Sequence, residues 1–276
     1  MPTNFKTKTM DNRIPLIQSM LQKKSCLCIG LDVEVDLLPT ALKQSEDPVF
    51  EFNRQIIEAT LPMAVAYKLN TAFYECLGAK GWETLEKTIR YIGNRALTIA
   101  DAKRGDIGNT AKAYANTFFQ FLNADALTVS PYMGIDSLQP FLDYPNKWTI
   151  ALGLTSNPGA ANIQMQKLSS GDFLFEAAMK TMAACAGPEQ LMFVVGATRP
   201  AELKSLQQRF PEYFFLIPGV GAQGGTLSEV LKAMGPNPKA LINASRSIIY
   251  AGSGQDFAKM AQISAQKMQN EMADYF

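Results

Sequence analysis

The chain contains no histidine at all. That absence removes Ser-His-Asp and Cys-His nucleophilic catalysis, together with the commonest metal ligand and the usual general base near neutral pH. Any acid or base must then be Lys, Asp, Glu, Tyr or Cys. Long apolar runs are missing too: no stretch approaches the roughly 20 residues of a membrane-spanning helix. Met1 to Arg13 lacks the apolar core of a secretory signal, so a cytoplasmic location is expected. Charge of one sign is not in excess either. Lys and Arg number 26 against 25 Asp and Glu, a formal net charge of +1, which gives no electrostatic case for nucleic acid or an acidic membrane surface. Cysteine is sparse: Cys26, Cys28, Cys76 and Cys185, with no Cys-x-x-Cys pair. Buried reduced thiols are expected rather than metal or disulfide chemistry.

What is present is a large apolar complement, 47% of 276 residues, enough for a substantial core. Short β-branched and apolar runs recur along it, and their spacing predicts strands at Ser25–Asp32, Met63–Lys68, Ala96–Asp101, Ala126–Ser130, Trp148–Gly153, Leu191–Gly196, Phe214–Pro218 and Ala240–Asn243. Helical periodicity fills the intervals, as in Ile107, Ala111, Tyr114, Ala115, Phe118 and Leu122, or from Phe173 to Cys185. Eight alternating β and α units predict an α/β chain closed into a (β/α)₈ barrel, one domain over 1–276 with an N-terminal extension to about 24. An open doubly wound sheet is the alternative. It usually carries a glycine-rich first turn, and here that turn is Val33-Glu34-Val35-Asp36. The stretch from Thr155 to Gln190 is long and reads as a lid or an insertion.

Barrel active sites lie at the C-terminal ends of the strands. In this reading those ends carry Asp32, Lys68, Asp101 with Lys103, Ser130, Thr155 with Ser156, Pro218, and Ser245 with Arg246. The densest feature is Asp101-Ala-Lys103-Arg-Gly-Asp106. If extended geometry persists through Lys103, Asp101 and Lys103 share a face. A plain salt bridge, with Asp106 as helix N-cap, explains the motif equally well. Lys68 ends a strand that should be buried, where an unpaired ammonium is costly; snorkelling to solvent is its bland alternative, and Asp32 could simply satisfy a turn. Late in the chain, Pro218-Gly-Val-Gly-Ala-Gln-Gly-Gly225 and Asn243-Ala-Ser-Arg246-Ser247 follow the seventh and eighth strands. Loops there commonly bind phosphate through backbone N–H groups and an arginine, which is favoured here over a flexible loop.

Taken together, Gly30-Leu-Asp32, Tyr67-Lys68, Asp101-Ala-Lys-Arg-Gly-Asp-Ile-Gly-Asn-Thr110, Thr155-Ser-Asn-Pro-Gly159, Pro218-Gly-Val-Gly-Ala-Gln223 and Ser245-Arg-Ser247 resemble the orotidine 5'-monophosphate decarboxylase family, in its longer-chain bacterial branch. The resemblance implies a cofactor-free and metal-free conversion of orotidine 5'-monophosphate to uridine 5'-monophosphate. It implies an alternating array of Lys68, Asp101, Lys103 and Asp106, with Lys103 as proton donor. Asp32 and Thr110 would contact the ribose, Ser156 the pyrimidine, and Pro218, Gln223 and Arg246 the phosphate end. A homodimer is implied as well, with Asp106 and Thr110 reaching the partner's site. The rivals are a magnesium-dependent sugar-phosphate decarboxylase or aldolase of related barrels, which place an acidic metal ligand where Lys68 stands, and an inert phosphate-binding barrel.

Overall fold

A computed structural model describes residues 11–221 and 224–276. Eight parallel strands close on one another: β1 (Leu27–Gly30), β2 (Ala64–Asn70), β3 (Leu97–Arg104), β4 (Ala126–Val129), β5 (Trp148–Leu154), β6 (Leu191–Val195), β7 (Phe214–Ile217) and β8 (Ala240–Ala244). Closure is made by β1 against β8, with Leu27 opposite Ile242 and Ile29 opposite Ala244. β1, β4, β6, β7 and β8 are buried at every position, as expected when helices cover the outer face and side chains fill the inside. This explains why the runs read as continuously apolar rather than alternating.

All eight expected strands are present, with shifted ends. β1 is shorter than expected, whereas β2 runs on to Asn70 and β3 to Arg104. Helix Leu174–Ala183 matches the periodicity from Phe173 to Cys185. The helix after β3 begins at Gly108, so Ile107 stays outside its buried stripe and is 52% exposed, while Ala111, Ala115 and Phe118 pack inward. From Asn116 to Phe121 it widens to a π-helical turn. The Thr155–Gln190 stretch is built, not open: a short helix Ala160–Ile163, an antiparallel bridge between Lys167 and Phe173, then Leu174–Ala183.

Within the extension, Arg13–Lys23 is a helix laid beside the start of β2, where the Lys23 ammonium donates to the carbonyls of Leu61 and Ala64 at 2.9 and 2.6 Å. Cys26 and Cys28 are buried, but Cys76 and Cys185 are exposed. The expectation of buried thiols therefore fails for the two that lie outside strands, where no packed layer covers them. No described helix is long and apolar enough to cross a membrane.

Candidate active site

At the C-terminal ends of the strands, a cavity of about 340 Å³ is lined by Asp32, Lys68, Asn70, Asp101 and Lys103 on one side and by Ser156, Pro218, Gly219, Ser245 and Arg246 on the other. Nine of the residues singled out at strand ends therefore converge: Asp32, Lys68, Asp101, Lys103, Thr155, Ser156, Pro218, Ser245 and Arg246; Ser130 does not line the cavity. Asp106 and Thr110 do not line it. The Asp106 carboxylate accepts from the amide of Ile107 at 2.8 Å, and it does not cap the helix, whose N-cap is Ile107. Thr110 is exposed on that helix's first turn. Gln223 lies outside the described residues.

The charged side is a continuous network. Lys68 is 3% exposed and sits between two carboxylates, its ammonium 3.0 Å from Asp101 Oδ2 and 3.3 Å from Asp32 Oδ1. The Lys103 ammonium is 2.6 Å from Asp101 Oδ1. Ser245 Oγ donates to Asp32 Oδ2 at 2.6 Å, and the amide of Asn70 donates to Asp32 Oδ1 at 3.3 Å. Gly30 makes the Ser245 contact possible, because a Cβ there would overlap Ser245 Oγ.

Burial on its own would push the Asp101 carboxyl up, but the Lys68 and Lys103 ammoniums outweigh it and hold the group below the ordinary carboxylate range. Burial likewise favours neutral Lys68, and Asp101 and Asp32 reverse that, holding its ammonium above the ordinary lysine value. Cys28 lies under this network with its thiol directed at Asn243 Oδ1, 3.6 Å away. Burial pushes that thiol up to about 12, so it remains neutral. The bland reading of Lys68 as a snorkelling side chain is thereby excluded.

Lys103 does not reach Asp101 by strand alternation. Its φ is 49°, in the left-handed region, so the expected extended geometry through Lys103 does not hold. β3 instead bulges, and the ladder resumes where the Ser130 amide donates to the Arg104 carbonyl at 2.7 Å. Sequence reasoning missed Asn70 and, opposite the bulge on β4, Thr128, since an isolated buried strand threonine carries no signal.

Ser156 follows β5 on a turn fastened by Gln164. The Gln164 amide oxygen accepts from the Thr155 backbone N–H at 2.8 Å, and its nitrogen donates to Thr155 Oγ1 at 2.9 Å. Gly196 lets this turn close in, since a Cβ there would stand 2.7 Å from Ser156 Cβ. On the far rim, Gly219, Gly221 and Gly224 have φ of 100°, 79° and 90°, values a side chain would penalise. Arg246, exposed, follows β8 directly.

The arrangement can hold a small molecule with an anionic end at the glycine loop and place its other end against a fixed ammonium and carboxylate. Residues 25–261 match the family model described as Orotidine 5'-phosphate decarboxylase / HUMPS family. An orotidine 5'-phosphate decarboxylase of Flavobacterium johnsoniae is 50% identical over 264 residues, 94% of this chain and 96% of that one. That of Phocaeicola vulgatus is 46% identical over 265 residues, 95% and 97% respectively. The solved OMP decarboxylase of Leishmania donovani superposes with a TM-score of 0.78 at 36% identity, covering 95% of this chain and 100% of that one. The UMP synthase of the same organism gives 0.79 at 38% identity over 92% of this chain, which spans 56% of that longer protein.

Proposed function

This chain belongs to the orotidine 5'-phosphate decarboxylase / HUMPS family, and on that footing we propose that it converts orotidine 5'-monophosphate to uridine 5'-monophosphate, the last step of de novo pyrimidine nucleotide synthesis, without metal or cofactor. The reading is supported most by one observation: Asp101 is kept anionic between two ammoniums, Lys68 and Lys103, at the wall of the cavity. We read 1–276 as one barrel domain with an extension to about 24.

In the reaction the bond from pyrimidine C6 to its carboxylate breaks, carbon dioxide leaves, and the electron pair stays on C6 with no conjugated sink. Lys103 stabilises that developing charge and delivers a proton from Nζ to C6. Fixed charges at this range matter, because two unit charges ~4 Å apart interact by about 4 kcal/mol at an effective dielectric of 20. Their orientation is set before substrate arrives, the condition under which electrostatic stabilisation is most effective. Lys68 holds Asp101 in place, Asp32 takes the ribose hydroxyls and Ser156 the pyrimidine. Pro218, Gln223 and Arg246 form the phosphate end, where binding far from C6 helps to assemble the closed site.

The functional unit is a homodimer in which the partner subunit's Asp106 and Thr110 complete the site. Two features support this: both residues sit off their own chain's cavity, and Ile107, next to Asp106, is 52% exposed. A cytoplasmic location suits the substrate.

The test is direct. Orotidine 5'-monophosphate incubated with micromolar enzyme should lose its ultraviolet absorbance as uridine 5'-monophosphate accumulates, at an unchanged rate in EDTA. No product would sink the enzymatic reading and favour an inert phosphate-binding barrel. Activity lost in EDTA and restored by magnesium would favour the sugar-phosphate branch, against which the Lys68 ammonium argues by repelling a cation.

A further inference from the structure

We propose that Thr128 is the positioning residue that sets Lys103, through a hydrogen-bonded ring joining Thr128, Asp101 and both ends of Lys103. The inference rests on the decarboxylase reading above and adds to it a residue on the fourth strand.

Ala100 pairs with Leu127 and Arg104 pairs with Val129, so Asp101, Ala102 and Lys103 face Thr128 alone on β4. Three residues opposite one is a bulge, and it breaks the ladder where the chemistry sits. The Lys103 amide therefore has no carbonyl of β4 to meet. It donates instead to Thr128 Oγ1 at 2.9 Å, and the same hydroxyl donates onward to Asp101 Oδ1 at 2.9 Å. Asp101 Oδ1 in turn accepts the Lys103 ammonium at 2.6 Å. One carboxylate oxygen thus fixes the ammonium directly and the Lys103 backbone through the threonine.

The consequences follow from what a hydroxyl can do. It gives one proton and accepts another, so it suits a gap between an N–H and a carboxylate. Thr128 is 1% exposed, which keeps water from standing in for it. Left-handed backbone at a lysine is uphill and persists only where its surroundings impose it. The hydroxyl is the neighbour that imposes it here, and it also orders the Asp101 carboxylate that Lys103 leans on. Thr128 does not touch substrate; it acts through these two residues.

The test compares side chains differing by the hydroxyl. Against Thr128→Ser, which keeps the hydroxyl, Thr128→Ala loses it at nearly constant volume, and Thr128→Val loses it while keeping the shape of threonine. Wild-type turnover of orotidine 5'-monophosphate comes first, since its absence would overturn the activity and not the positioning claim. Given activity, kcat of the Ala and Val variants should fall about 10- to 100-fold, the scale on which small misplacements of reacting groups cost rate, with KM within about threefold and uridine 5'-monophosphate still bound. The Ser variant should stay near wild type. Should Val not fold, the Ser and Ala pair carries the same comparison. Folded Ala or Val variants with wild-type kcat would overturn the proposal. So would equal losses in Ser and Ala, which would assign the effect to packing of the methyl group.

Discussion

The two sides of the cavity rim are built in opposite ways. Along β1 to β4 every charge already meets its complement: Lys68 lies between Asp32 and Asp101, and Lys103 is on Asp101. After β7 and β8 the rim is a glycine loop and Arg246, which makes no ion pair among the described residues. On the first side Lys68 and Asp101 are buried and every charge is paired within the chain, so its field is fixed before a ligand enters. On the proposed function, the second would gain its partner from the substrate's phosphate. One side is thus suited to lowering a barrier, the other to supplying the binding energy that holds substrate against it.

The largest effect should come from the pre-set side. Lys103→Ala removes both proton donor and stabilising charge, so kcat should fall by at least about 10⁴-fold, combining typical general-acid and electrostatic contributions. Nucleotide binding should persist, as titration with uridine 5'-monophosphate would show; near-normal turnover would remove Lys103 from its role. Lys68→Met should act on stability as well. It leaves Asp32 and Asp101 without their buried cation, a change that costs roughly 3–5 kcal/mol when one partner of a buried pair is removed. Urea denaturation measures it, and a loss below about 1 kcal/mol would mean that the pair is not held as tightly as its geometry indicates.

The open side should behave differently. Arg246→Ala should raise KM about 10- to 100-fold, the worth of a charge-assisted hydrogen bond or two, with smaller change in kcat. Inorganic phosphate should stabilise the wild type against heat, as any ligand of the folded state does, and should not stabilise the variant. If Arg246→Ala instead lowered kcat as far as Lys103→Ala, the division between the two sides would be wrong.

The same contrast governs what the sequence made legible. The eight strands showed because a parallel barrel buries both faces, so each strand is a mainly apolar run, and several end at a polar residue. Asp32, Lys68, Asp101 and Arg246 could be placed at the mouth for the same reason. The convergence of Asp101 with Lys103 was also legible, but for the wrong cause: alternation along an extended strand was expected, and a bulge supplies it. Register belongs to the pairing of two strands, and no residue of β3 alone announces it. Thr128, Asn70 and Gln164 escaped notice because their roles are hydrogen bonds to backbone or to carboxylates brought near by folding. Asp106 and Thr110 do not line this chain's cavity, so their proposed roles rest on a second subunit.

The smallest expected effect, close to none, sharpens the pre-set side most. Asp101 ionises below its ordinary 3.8 in the folded state, so its stabilising contribution is complete above that value and is lost only as pH falls through the lowered one. Lys68 runs the other way. Its folded value stands above the ordinary 10.5, so its contribution is complete below 10.5 and is lost only as pH rises past that. The Cys28 thiol, pushed up to about 12, also stays out of the intervening range. The half-buried Lys23 and Lys147 are lowered by burial and act toward the alkaline end. With no histidine in the chain, little is left to titrate between. The free energy of unfolding in urea should therefore be nearly level from about pH 5.5 to 8, varying by less than about 1 kcal/mol, well under one strongly shifted carboxylate's worth. A steep rise or fall inside that window would mean that Asp101 or Lys68 changes protonation there. The array would then not be fixed before substrate binds, and the contrast between the two sides would lose its basis.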